Sequence, residues 1–430
     1  MGLTYLISVF AKLGITFFLA SIFVSVAWNI IASLIDLLCN NRSNALKHIR
    51  KHRAIANFNV LGENNLLDRL KSRALPNQRL NEVFKINNSF TTMDQNIHEG
   101  FVISAKSVIH SMNPHKWANF FAVSEAALDR ACGALAAQTP LPLAAIARFV
   151  VFVAMLHQFF DAELTGNTDF ADAVEATEAI NNLWERSKDT QTARPGSDAE
   201  QERLQASLKR LLPKCFPCPP EKHPLNIILP AYETMWRVVL LTYVSAGFRD
   251  VHPETLQQFQ EVIQNVPRCF ASETASNVVG TAMNFAKEGL RLYPPTKRIH
   301  RAVPSAKSGS YNVKADVEWC HRNTHIWGPD AEQFRPSRFQ GVTADMRQAY
   351  MPFGAGKHQC PTAKTFSYHA IIILVVVLAK RLGTVQTGSK VVFGNAKLDA
   401  DPKELLPSGR MGMEDWTIER SGIDWLGRAM

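Results

Sequence analysis

The chain has 430 residues, 46% of them hydrophobic, and carries 47 Lys and Arg against 38 Asp and Glu, a net charge of +9. Such a length accommodates two or three domains or one large helical body with a sizeable core. The basic surplus suits nucleic acid, anionic lipid or an acidic protein, but the sequence has no RNA-binding signature, zinc-finger spacing or basic-aromatic repeat, which ranks nucleic acid last. Seven cysteines, scattered and odd in number, exclude a disulfide framework and fit a reducing compartment.

Residues 13–35 form an uncharged apolar run, long enough to cross a bilayer core as a helix. They lack the basic start and the small-residue cleavage site of a removable signal peptide. A buried core helix is the other reading. Arg42, Lys47, Arg50, Lys51 and Arg53 follow the run and only Lys12 closely precedes it, so the positive-inside rule places everything after residue 40 in the cytosol. The expected organisation is a membrane anchor over 1–40 and one body over 41–430. The sequons at Asn41 and Asn87 are then expected to be unused.

Residues 54–130 mix short apolar groups with polar turns, which suggests connecting strands followed by helices. His115–Val123 has the pattern of an amphipathic helix, whose Trp117 either covers a planar ligand or packs in the core. Residues 142–160 are apolar on nearly every face apart from Arg148, and a buried helix is expected there. Residues 169–187 continue as a helix and 188–200 as a solvated loop. Cys215-Phe216-Pro217-Cys218 has the spacing of a redox or zinc pair, but two prolines and no second pair favour a loop with two thiols.

Residues 225–245 predict a long apolar helix. Pro230 lacks an N–H and distorts it. Glu233 and Thr234 follow directly; they either hold water and pass protons at the widened turn or cap loose carbonyls. Glu288 and Arg291 are three apart and share a helix face before Pro294 and Pro295 end that helix. An irregular stretch over 316–339 carries Arg322, Arg335 and Arg338 and is either a solvated loop or the completion of a network with Glu288. Next comes Met351-Pro-Phe353-Gly354-Ala-Gly356-Lys-His358-Gln-Cys360-Pro361, a loop with two glycines that delivers one cysteine ahead of the apolar segment 370–379. The glycines permit backbone angles closed to other residues and close approach of another body. A thiolate so placed is a nucleophile or a metal ligand, unless the cysteine is a buried structural thiol.

These pieces, in this order, resemble the cytochrome P450 family, with the look of a fungal microsomal member. Phe353-x-x-Gly356-x-His358-x-Cys360 resembles the haem-ligating cysteine loop, with His358 where the family usually has Arg and Thr362 where it usually has Gly. Glu288-x-x-Arg291 and Pro336-Ser337-Arg338-Phe339 resemble the elements that form a Glu-Arg-Arg network. Pro230-Ala231-Tyr232-Glu233-Thr234 resembles the oxygen-activating segment of the central helix.

The resemblance implies a mainly α fold with a small β region (α+β) behind an N-terminal transmembrane helix. It implies haem b with Cys360 as axial ligand to the iron, Phe353 and Gly356 shaping the loop, and His358 and Arg298 on the propionates. Glu233 and Thr234 would relay protons, and Glu288, Arg291 and Arg338 would be structural. The implied activity is a monooxygenase acting on a lipophilic small molecule in the endoplasmic reticulum membrane. Its electrons would come from NADPH through cytochrome P450 reductase, with cytochrome b5 as a second donor. A haem-thiolate isomerase or peroxygenase, and a non-catalytic haem-binding membrane protein, are the alternatives.

Overall fold

The computed structural model describes residues 40–62, 64–136, 140–164, 166–188, 198–249, 252–270, 277–306 and 309–420. The apolar run 13–35 lies outside them. Helix α1 covers 40–56 and is followed by α2 (Leu66–Ala74), α3 (Gln78–Phe84), α4 (Gln95–His110) and α5 (Pro114–Ala134). The segment 54–130 thus has the expected helices, including the one at His115–Val123, but helices also stand where connecting strands were expected. The helix signals there are local caps: Asn65 accepts from Asp68 N, Asp94 from Asn96 N and Ile97 N, and Asn113 from Lys116 N with Pro114 in the first turn.

The chain continues through β1 (Leu141–Pro142), α6 (Leu143–Phe160), α7 (Asn167–Arg186) and α8 (Asp198–Leu211). Helix α8 replaces the end of the loop expected over 188–200. Leu204 and Leu208, one turn apart, are wholly buried, so a largely polar stretch is held helical by one apolar seam packed on α7. Next are α9 (Leu225–Ile228), a π-turn at Leu229–Glu233 and α10 (Met235–Phe248), the expected long helix distorted at Pro230. Helices α11 (Pro253–Phe270) and α12 (Asn277–Leu292) precede the antiparallel hairpin of β2 (Arg298–Ser305) and β3 (Gly309–Asp316), in which Ile299 faces Ala315 and Arg301 faces Val313. Short helices α13 (Val317–Arg322), α14 (Thr324–Trp327) and α15 (Ala344–Ala349) lead to the cysteine loop, α16 (Phe366–Leu382), β4 (Ser389–Val392), α17 (Ala396–Ala400) and β5 (Thr417–Arg420). The second sheet has the order β1-β5-β4, all antiparallel.

Helices α5, α6, α10, α11, α12 and α16 form the main core. In α16, Ile372, Ile373, Leu374, Val375 and Val376 are wholly buried, and burying each such side chain is worth about 1.5–3 kcal/mol. Leu143–Phe160, Leu225–Phe248 and Phe366–Thr387 are long and apolar enough to cross a membrane, yet most of each is buried inside the protein. A second core joins α1, the β2–β3 hairpin and α13–α15 through Ile49, Ile299, Val317 and Trp327. The cysteine loop lies at the seam. Its Met351 and Ala355 belong to the second core and its Phe353 packs on the first.

Candidate functional site

The loop is closed by its own backbone. Gly354 N donates to Met351 O at 3.1 Å, and Cys360 N donates to Phe353 O at 3.0 Å. Gly354 and Gly356 have φ of 75° and 71°, in the region that favours glycine. A Cβ on Gly356 would stand 1.3 Å from Asn57 Oδ1, so the end of α1, not a ligand, demands glycine there. Phe353 meets the Tyr368 ring edge-on at 5.4 Å. Cys360 is partly exposed; the surrounding protein pushes its thiol pKa up, and a bond with Thr362 pulls it partly back. Thr362 Oγ1 lies 3.0 Å from Cys360 Sγ, and Ser367 Oγ donates to Thr362 Oγ1 at 2.7 Å.

Glu288, Arg291 and Arg338 meet as expected. Glu288 and Arg291 are wholly buried. Arg291 donates to both Glu288 oxygens at 2.7 and 2.8 Å and to the carbonyls of His321, Ala331 and Gln333. Arg338 Nε is 3.5 Å from Glu288 Oε1, and its remaining nitrogens bind Asp330 and Trp327 O. His321 ties this network to the loop: its Nδ1 faces Arg291 O at 3.1 Å and its Nε2 accepts from Met351 N at 2.9 Å. Those partners require the neutral Nδ1–H tautomer, and burial holds the His321 pKa down at about 3.

At the central helix, Thr234 Oγ1 donates to Pro230 O at 2.8 Å, taking up a carbonyl that the π-turn frees. Tyr232 and Glu233 are buried. Glu233 is gripped by both terminal nitrogens of Arg410, one of them at 3.0 Å, and Arg237 Nε stands 3.8 Å away. Arg410 also binds Asn181 and Glu185. The acid is therefore an anchor for the C-terminal segment, a partnership the sequence reading did not anticipate. Trp117 packs among Phe120, Phe270, Phe366 and His369, the core role of its two readings.

Arg298, expected on a propionate, is not among the buried residues of the hairpin. Arg298 is half-exposed and pairs with Asp316 at 3.3 Å. Side chains alternate along a strand, so the inward faces belong to Ile299 and Arg301. Arg301 is 7% exposed and lies 4.1 Å over the Phe58 ring. It is one of five cationic or imidazole side chains brought together from four segments. Arg69 and Arg73 come from α2, His98 from α4, Arg301 from β2 and His358 from the cysteine loop. Arg69 Nε donates to His358 Nε2 at 3.1 Å; Arg73 binds Ser89 Oγ at 2.8 Å and faces His98 Nδ1 at 3.2 Å; the His98 and His358 rings are 5.0 Å apart. Arg73 Nε, Arg301 Nε and His358 Nδ1 are buried with no hydrogen-bond partner. Among the described residues no carboxylate pairs with any of the five. Burial lowers Arg73 to about 10; burial first and neighbouring cations second lower Arg301 to about 9, His98 to about 4 and His358 to about 3. Buried charges are ordinarily paired; among the described residues these have no counter-charge. The sequence singled out only His358; strand alternation from Ile299 was the one signal that pointed to Arg301.

A thiol-presenting loop beside buried, unmatched cations suits a haem, which offers an iron to the sulfur and two carboxylates to the cations. Comparison with known proteins agrees. Residues 252–364 match the family description "Cytochrome P450". The chain is 30% identical over 141 residues to cytochrome P450 71A25 of Arabidopsis thaliana, covering 30% of this chain and 28% of that one. It is 30% identical over 139 residues to the bifunctional cytochrome P450/NADPH–P450 reductase 2 of Bacillus subtilis, covering 30% of this chain and 13% of that one. These matches span less than a third of the relatives' own length. The fold resembles the solved structure of cytochrome P450SP alpha (CYP152B1) in complex with (R)-ibuprophen, with a TM-score of 0.53, 14% identity, and 81% of this chain and 85% of that chain covered. Over residues 252–364 this chain is thus similar to the cytochrome P450 family, and its fold is similar to that of one solved member.

Proposed function

We propose that the chain is a membrane-anchored haem-thiolate monooxygenase, with residues 1–40 as the anchor and 41–430 as the haem domain. Haem b held through a thiolate supplies oxygen insertion into unactivated C–H bonds, given O2 and two electrons. Cys360 would be the axial ligand. Phe353 closes the loop behind it, and Gly356 lets the loop turn under Asn57. Arg69, Arg73, Arg301, His98 and His358 would hold the propionates, whose oxygens would satisfy the three orphaned nitrogens. That cation cluster, with Arg73 and Arg301 buried, no carboxylate of its own among the described residues and His358 two residues from Cys360, is the observation that carries the proposal.

Glu288, Arg291 and Arg338 would act as structure alone. Glu233 and Thr234 would deliver protons, with the Glu233–Arg410 pair opening as they do so. The substrate would be a lipophilic small molecule. Electrons would come from NADPH through an acidic reductase drawn to the basic surface, with cytochrome b5 as a second donor. The fusion of a P450 to such a reductase in one relative supports that partner. The protein would sit as a single-pass protein in the endoplasmic reticulum membrane, its haem domain in the cytosol.

One observation favours a second reading, a peroxide-driven haem-thiolate enzyme. Peroxide brings its own electrons and protons, so Glu233 can stay locked to Arg410 throughout. The test begins with the reduced, carbon-monoxide-treated protein. A thiolate-type Soret band, red-shifted well beyond that of imidazole-ligated haem, is expected and should vanish in Cys360→Ala. Well-folded protein that binds no haem would sink both readings. Turnover with NADPH and reductase, against turnover with hydrogen peroxide alone, separates them.

A further inference from the structure

Thr362 occupies the position two residues after the cysteine, and its hydroxyl meets the sulfur. Ser367, in the first turn of α16, is 6% exposed and donates its hydrogen to Thr362 Oγ1 at 2.7 Å. A hydroxyl has one hydrogen and two acceptor sites. With one acceptor site of Thr362 taken by Ser367, its own hydrogen is left for Cys360 Sγ at 3.0 Å. A ligating thiolate has no hydrogen to give, so the direction of that bond is fixed: Ser367 to Thr362 to sulfur. The backbone holds the arrangement, since Ala363 N donates to Cys360 O at 3.1 Å across the same turn.

We infer that Thr362, polarised by Ser367, is a tuning residue that donates a hydrogen bond to the Cys360 thiolate and weakens its donation of electron density to iron. The inference rests on the haem-thiolate reading and deepens it. Hydrogen bonds to a ligating sulfur are among the protein's means of setting a reduction potential. Each hydroxyl in a chain strengthens the next, so removing Ser367 should act through Thr362 and act less.

The test uses the haem-loaded protein and reads the iron reduction potential and the iron–sulfur stretching band in resonance Raman spectra. Thr362→Val keeps the shape and removes the donor. It should shift the potential to more negative values and the stretch to higher frequency. Thr362→Ser should restore both to wild-type values, and Ser367→Ala should move both in the valine direction by a smaller step. A valine variant with the wild-type potential and stretch overturns the inference. If the valine variant fails to hold haem, Ser367→Ala decides: unchanged values overturn the inference, and a shift in the stated direction supports it. A wild-type protein without a thiolate-type band fails earlier, and it removes the haem reading and this inference together.

Discussion

Two buried charge clusters flank the cysteine loop, and they are built on opposite terms. Around Glu288, every Arg291 nitrogen has a protein partner, and Arg338 is matched by Asp330 as well as Glu288. Around His358, Arg73 and Arg301 are also buried but have an orphaned nitrogen each and, among the described residues, no carboxylate. The first cluster is complete in charge, although Arg338 Nε too is buried without a hydrogen-bond partner. The second is open, with no carboxylate of its own among the described residues. Burial and an orphaned nitrogen do not distinguish a structural network from a ligand site; whether the chain supplies the counter-charge does.

The largest expected effect comes from breaking the complete cluster. Glu288→Leu leaves Arg291 and Arg338 buried beside one exposed-side acid, and uncompensated buried charge costs about 3–5 kcal/mol. Urea unfolding of the haem-free protein should show that loss, and little soluble protein at higher temperature. A variant as stable as wild type would mean that the network contributes nothing to the fold.

The same kind of change in the open cluster should behave differently. Arg301→Met removes a buried cation that has no counter-charge, so the haem-free protein should be no less stable than wild type. Haem affinity should fall instead. One charged hydrogen bond is worth about 1.5–3 kcal/mol, which is roughly a 10- to 150-fold weaker dissociation constant. Haem titration beside a urea melt reads both numbers. A melt lowered as far as that of Glu288→Leu, with haem affinity unchanged, would erase the distinction between the two clusters.

The complete cluster was legible in the sequence because its parts are local. Glu288 and Arg291 share one helix face, and Arg338 sits in a recognisable Pro-Ser-Arg-Phe turn. Pro230 likewise announced the distortion that the π-turn carries out. The open cluster was not legible, because α2, α4, β2 and the loop supply one or two side chains each, and no spacing links Arg73 to His98 or to Arg301. The Glu233–Arg410 contact was not legible for the same reason: its partners are 177 positions apart. The strands expected in 54–130 are helices instead, because the signals at the start of that segment are single capping residues, not a long apolar period.

The smallest expected effect tests the strand alternation that separates Arg298 from Arg301. Both lie on β2, three residues apart, so they point to opposite faces. Arg298 pairs with Asp316 in water, where an ion pair is worth at most about 1 kcal/mol. Arg298→Ala should therefore leave haem affinity unchanged and the urea midpoint nearly so. Were the hairpin shifted by one residue, the two arginines would exchange faces, and Arg298→Ala would then weaken haem while Arg301→Met would not. Measuring both variants side by side thus fixes the register of β2 against the cysteine loop, and with it which arginine faces the open cluster.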